Sequence, residues 1–130
     1  MPTIEEVRKI FEDDRFATEN GAVIDEIGDH FAKCSIVLGE RHKNARGAVM
    51  GGVVFMLADF AFAVASNWQK PGSVTLGANI SFLSAAKGEK LTAEARAIKT
   101  GRTTSCYVTE VHDDRGTLVA SVMTNGFNVG

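Results

Sequence analysis

NARGAVMGGVVFMLADFAFAVASN, residues Asn44 to Asn67, is the stretch that decides the fold. Beyond the Gly51-Gly52 pair it is apolar on every side, and a helix of that kind is wrapped by the rest of its protein rather than laid on the surface. The segment Ala48 to Ala65 is also the one candidate for a membrane span. It is rich in Gly and Ala, however, and a central Asp costs about 2.5 to 3.5 kcal/mol on insertion scales, so a buried soluble helix is expected. A single charge, Asp59, interrupts it. A carboxylate inside an apolar helix is costly unless it is paired, hydrogen-bonded or protonated, which makes Asp59 the first functional candidate.

Outward from this helix the chain alternates clear signals. Toward the start, Thr3 and Glu6 form a capping box, and Ile4, Val7, Ile10 and Phe11 recur at helical spacing as one apolar stripe. Asn20-Gly21 ends that segment. Ala22 to Ile27 and Phe31 to Leu38 read as strands around a turn at Gly28-Asp29, with Ala32, Cys34, Ile36 and Leu38 on one face and the half-exposed Phe31, Lys33, Ser35 and Val37 on the other. Glu40 to Gly47 is a polar loop. After the long helix, Pro71-Gly72 precedes a meander of strands over Val74 to Ser84, Leu91 to Lys99, Thr103 to His112 and Thr117 to Val129, with turns at Lys87-Gly88, Gly101 and Asp113 to Gly116. Only a curved antiparallel sheet covers so apolar a helix on most sides, which places the chain in the α+β class.

A chain of 130 residues suits one domain, 1-130, able to bury a core without disulfides or metal. Its net charge of -2, with acids and bases interspersed, favours neither nucleic acid nor a membrane surface as partner. Cys34 and Cys106 lack a CxxC pattern and read as reduced, buried thiols. The opening MPTIEEVRKIFEDD is acidic and amphipathic rather than signal-like, so a cytoplasmic location is expected. His30, His42 and His112 have no metal-ligand spacing, and no metal is expected.

The pattern Asn44-x-x-Gly47-x-x-Met50-Gly51-Gly52 followed by Leu57-Ala58-Asp59 is similar to the signature of hotdog-fold acyl-CoA thioesterases of the PaaI-like, phenylacetate-degradation group. The resemblance extends to Asn79 to Leu83, Ala85 to Leu91, Gly101-Arg102 and Asp114 to Ala120, and so covers the chain from about Phe31 onward. It implies a hotdog fold and hydrolysis of an aryl-, phenylacetyl- or medium-chain acyl-CoA to free acid and CoA. The implied enzyme needs no cofactor beyond the CoA that belongs to its substrate. It also maps the nucleophile or base onto Asp59, puts Asn44 in the loop facing the thioester, and puts the Thr75 hydroxyl near the attacking water. In one position the chain departs from the pattern: Met50 stands where the family generally carries histidine. A non-catalytic acyl-CoA-binding protein is therefore the alternative reading.

Thioester cleavage needs an attacking oxygen and a stabilised oxyanion. The first amides of the long helix lack intrahelical partners and lie at its positive end, so the Gly51 amide can polarise a carbonyl, with Met50 and Gly52 beside the substrate. Asp59 serves as general base or as nucleophile; the residues do not choose between them. Gly51 and Asp59 are eight residues apart, about 12 Å of rise and roughly 80° of rotation on a helix. They are hard to bring to one carbonyl, which predicts a homodimer with shared sites; a dimer of dimers is the further assembly expected alongside the hotdog resemblance, not from this spacing. For the CoA phosphates, Lys99, Gly101, Arg102 and Thr103 offer cations and amides, joined by Lys87 and Lys90. Phe55, Phe60 and Phe62 are candidates to line the acyl pocket.

Overall fold

The computed structural model describes residues 1–130. Helix α1 (Ile4–Phe11) opens on the capping box, in which the Thr3 side chain accepts from Glu6 N and Thr3 N donates to the Glu6 carboxylate. Val7 and Phe11 are buried, and the Phe11 ring meets Phe60 edge-on with centroids 6.3 Å apart. Ile10 is exposed, so the expected stripe is narrower by one residue. A second helix that periodicity did not reveal, α2 (Arg15–Glu19), follows. Strands β1 (Val23–Gly28) and β2 (Phe31–Val37) then form the expected hairpin, turning through His30 at φ 49°.

The long helix α3 (Gly51–Asn67) lies where the sequence placed it, and the strands β3 (Ser73–Phe82), β4 (Lys90–Thr100), β5 (Thr104–Asp113) and β6 (Leu118–Asn128) complete a six-stranded antiparallel sheet. Its order is β1-β2-β4-β5-β6-β3. The expected meander therefore holds for β4, β5 and β6 alone. β3 pairs with β6 at the far edge, because the 83–89 connector leaves β3 along the start of β6, where Leu83 N and Ser84 N both donate to Val119 O, and then runs to Leu38 N, which donates to Glu89 O.

The sheet curls around α3. Ala32, Cys34 and Ile36 from β2, Leu91, Ala93 and Ala95 from β4, and Tyr107 and Val111 from β5 bury the helix residues Leu57, Ala61, Val64 and Ala65. The run of small side chains on β2 and β4 lets the helix sit close to the sheet. This is the hotdog architecture. Two of the three aromatics proposed to line an acyl pocket belong instead to this core: Phe60 packs on Phe11, and Phe62 meets Tyr107 edge-on at 5.2 Å. Cys34 is buried as expected, whereas Cys106 is half-buried on the outer face with its Sγ 3.5 Å from Met123 Sδ. Ser35, expected on a half-exposed face, is buried.

The two sheet edges differ. β1 is covered by α1, whose Arg8 Nε donates to Ile24 O at 2.9 Å. β3 is uncovered: eight of its ten residues are exposed, and SVTLGANISF contains no charge to discourage another strand. No helix is long and apolar enough to cross a membrane.

Candidate active site

The loop before α3 is held by side chains that fix where the helix begins. His42 is buried, and its Nδ1 accepts from Gly39 N at 2.9 Å, which leaves Nε2 as the donor to Asn20 O at 2.7 Å. It is thus a structural imidazole, and the His42 carbonyl receives Met50 N at 2.9 Å. Asn44 Oδ1 accepts from Arg46 N and Ala48 N, closing the 44–48 turn. Its carbonyl oxygen is consumed in the turn while its Nδ2 has no partner in the chain, so Asn44 can still donate to a ligand.

Met50 is the N-cap, in extended backbone at φ -63° and ψ 138°, and its side chain makes no capping bond. It is 46% exposed. Val53 N and Val54 N donate to Met50 O at 3.0 and 3.4 Å, but the exposed Gly51 and Gly52 N–H groups meet no acceptor. Two open donors at the positive end of a 17-residue helix make a cradle able to hold an oxygen that carries negative charge.

Asp59 lies two turns further on and, in the single chain, faces solvent rather than the core. This corrects the expected buried carboxylate: α3 is not wrapped on all sides, and Gly52, Met56, Asp59 and Ala63, spaced four, three and four residues apart, form a stripe the sheet leaves open. Desolvation by the apolar neighbours nonetheless pushes the Asp59 carboxyl up from its ordinary value, with repulsion from Asp14 adding to it.

Thr75 sits neither beside Gly51 nor deep in the fold. On β3 it pairs with Gly126, which pairs in turn with Ser105, so the three form one cross-strand row toward the C-terminal end of α3. That end holds a cavity of about 590 Å³ bordered by His30, Lys70, Gly101, Arg102 and Tyr107. His30 Nδ1 lies 3.2 Å from the Tyr107 hydroxyl, whose pKa burial pushes up, with Asp29 reinforcing it. Ser73 Oγ and Ser105 Oγ line the cavity, buried and without a partner. Sequence reasoning missed these serines; the one legible signal was Gly126, where a Cβ would lie 2.7 Å from Ser105 Oγ and 3.2 Å from Ser73 Oγ. Of the expected CoA contacts, Gly101 and Arg102 border this cavity and Lys99 and Thr103 do not. Lys87 and Lys90 do not border it in the single chain either: Lys90 opens β4 at its other end, and Lys87 precedes it.

One chain therefore carries the cradle at one end of α3, the cavity at the other and Asp59 between them. Residues 46–120 match the family model described as the thioesterase superfamily. The acyl-coenzyme A thioesterase PaaI of Escherichia coli is 30% identical over 122 residues, covering 93% of this chain and 87% of that protein. Its structure superposes with a TM-score of 0.89, covering 97% of this chain and 92% of that one at 28% identity. A candidate esterase of Archaeoglobus fulgidus is 35% identical over 112 residues, 85% of this chain and 73% of the relative. With the family model spanning more than half of its length, the chain belongs to the thioesterase superfamily, among the PaaI-like hotdog proteins.

Proposed function

We propose that residues 1–130 act as one domain that hydrolyses an aryl-, phenylacetyl- or medium-chain acyl-CoA thioester, working as a homodimer. The observation that carries this reading is the pairing of two unsatisfied amides, Gly51 and Gly52, with a single carboxylate, Asp59, on an open stripe of the same helix. The E. coli relative is an acyl-coenzyme A thioesterase, which supports the substrate class. The thioester oxygen accepts from Gly51 N–H, and charge developing on it meets a fixed donor and the helix dipole. Asp59 of a second copy drives the attack: as general base it takes a proton from the water that attacks, and as nucleophile its own oxygen attacks, expelling CoA and forming a mixed anhydride that water then cleaves. CoA leaves as the thiol. The reaction needs neither metal nor bound cofactor.

The uncovered β3 edge supports the second copy. Two β3 strands related by a two-fold axis pair antiparallel, which sets their helices side by side in opposite directions and covers the open stripe of each. The Gly51 end of one helix then faces Asp59, Thr75 and the cavity of its partner, where Arg102, Lys70 and the unpartnered serine hydroxyls suit the phosphates and polar arm of CoA. Val74, Met123 and Phe127 stay exposed on the outer sheet face and favour a dimer of dimers. Met50, which donates no side-chain hydrogen bond, supports a second reading, a binding protein without turnover. Release of CoA thiol from an acyl-CoA panel decides between them. Hydrolysis lowered about 10²- to 10⁴-fold in Asp59→Asn with CoA binding retained is the expected result; equal, negligible rates in both proteins leave the binding module.

A further inference from the structure

An apolar groove of about 460 Å³ opens directly beside Gly51, bounded by Val49, Val54, Phe82, Leu83, Ala86 and Val119. Its position relative to the attack is set by the helix. At 100° per residue, Asp59 and the open stripe lie about 80° to one side of Gly51 and Val54 about 60° to the other. A carbonyl held on the Gly51 amide is thus approached from the stripe side while whatever is attached to it extends toward the groove. The floor is rigid, because Leu83 N and Ser84 N are both tied to Val119 O at 2.8 and 3.3 Å and Val119 is itself buried. Apart from Gly51 and Ser84 its lining residues are apolar, so the groove suits hydrocarbon. Its wall is Phe82, 56% exposed, whose ring lies 3.1 Å from the point a Gly51 Cβ would occupy.

We propose that this groove seats the hydrocarbon of the acyl group, with Phe82 and Ala86 setting the size accepted. This rests on the thioester reading, which fixes the carbonyl at Gly51. It replaces Phe60 and Phe62 as the source of acyl selectivity. A groove of this volume and lining distinguishes neighbouring chain lengths by burial alone, at about fourfold in affinity per methylene.

The test measures affinity by calorimetry for free CoA and for a straight-chain acyl-CoA series from two to twelve carbons, in an Asp59→Asn background so that the ligands are not turned over. Affinity is expected to rise about fourfold per methylene to a plateau. Ala86→Phe, which fills the groove, moves the plateau to shorter chains with CoA affinity unchanged, and Phe82→Ala, which opens the wall, moves it to longer ones. A series that neither variant shifts, or an acyl-CoA affinity no greater than that of CoA, overturns the proposal. The two readings fail separately. Absent hydrolysis in the native Asp59 protein, with length-dependent binding that the variants shift, removes the hydrolase and keeps the groove. Hydrolysis whose length profile ignores both variants removes the groove alone.

Discussion

Asp59 is exposed in one chain and still has a raised carboxyl pKa, first through desolvation and second through Asp14. In the proposed dimer a partner covering the stripe removes more water, which pushes the same way, while the positive helix end it brings favours the carboxylate. Because the folded protein binds this proton more tightly than the unfolded chain, Asp59 costs stability as pH rises from the unfolded carboxyl value, about 3.9, through the native one. Asp59→Asn is therefore expected to unfold at the same or a higher temperature than the native protein at pH 7, the difference closing below about pH 4; a scan of melting temperature against pH checks it. In the proposed mechanism activity has the opposite dependence, since only the Asp59 carboxylate abstracts a proton or attacks. The expected kcat/KM rises with pH through the native value and then levels, for either role of Asp59. At this scale the sequence was informative where a residue type broke its surroundings: a charge in an apolar helix, a glycine pair at its start. It did not show Ser73 and Ser105, because serines on strands are common and only the packing around Gly126 leaves these two hydroxyls without partners.

Elements were legible wherever short-range chemistry defines them. The capping box set the start of α1, the period-two run of small residues set β4, and Pro71-Gly72 marked the passage from α3 to β3. The five residues of α2 carried no such signal, since Asp14 makes no side-chain cap bond there. The place of β3 was also hidden, because pairing with β6 rather than β4 depends on contacts remote in sequence. What directs the connector is a lock between two turns. Asp113 accepts from Lys87 N at 2.9 Å, Arg115 N at 3.0 Å and Thr117 N at 2.9 Å, and although burial pushes its carboxyl up, these donors together hold it below its ordinary value. Asp114 takes Glu89 N. Gly88 stands between the two bonded amides at φ +88°, and a Cβ there would land on the Asp114 carboxylate. Gly88→Ala is expected to lose about 1 to 3 kcal/mol in a denaturant titration, combining backbone strain with the broken lock.

Across the whole molecule, the groups proposed to form the thioester site are spread along one helix, and what assembles them is tested by asking on which chain each must lie. Gly51 occupies the first helical position, behind a Met50 whose φ and ψ already suit a following proline. Gly51→Pro therefore removes the N–H at a position that suits proline, with the Phe82 ring, 3.1 Å from a Cβ there, obliged to shift, and it is expected to lower kcat about 10²- to 10³-fold. Asp59→Asn removes the carboxylate from the same chain. If each site takes its amide from one copy and its carboxylate from the other, a heterodimer of the two variants has one site with both lesions and one with neither. Random reassortment makes half of the dimers mixed, so unfolding and refolding the two inactive proteins together is expected to restore about a quarter of native activity. A site built within one chain leaves every site in the mixture with a lesion, and activity then stays at the level of the parents. A shared site further requires that activity fall on dilution together with the dimer, which sedimentation at the assay concentration measures directly. Replacing the uncharged β3 edge by Leu76→Lys, exposed in the single chain, is expected to produce both losses at once with the fold of each chain intact.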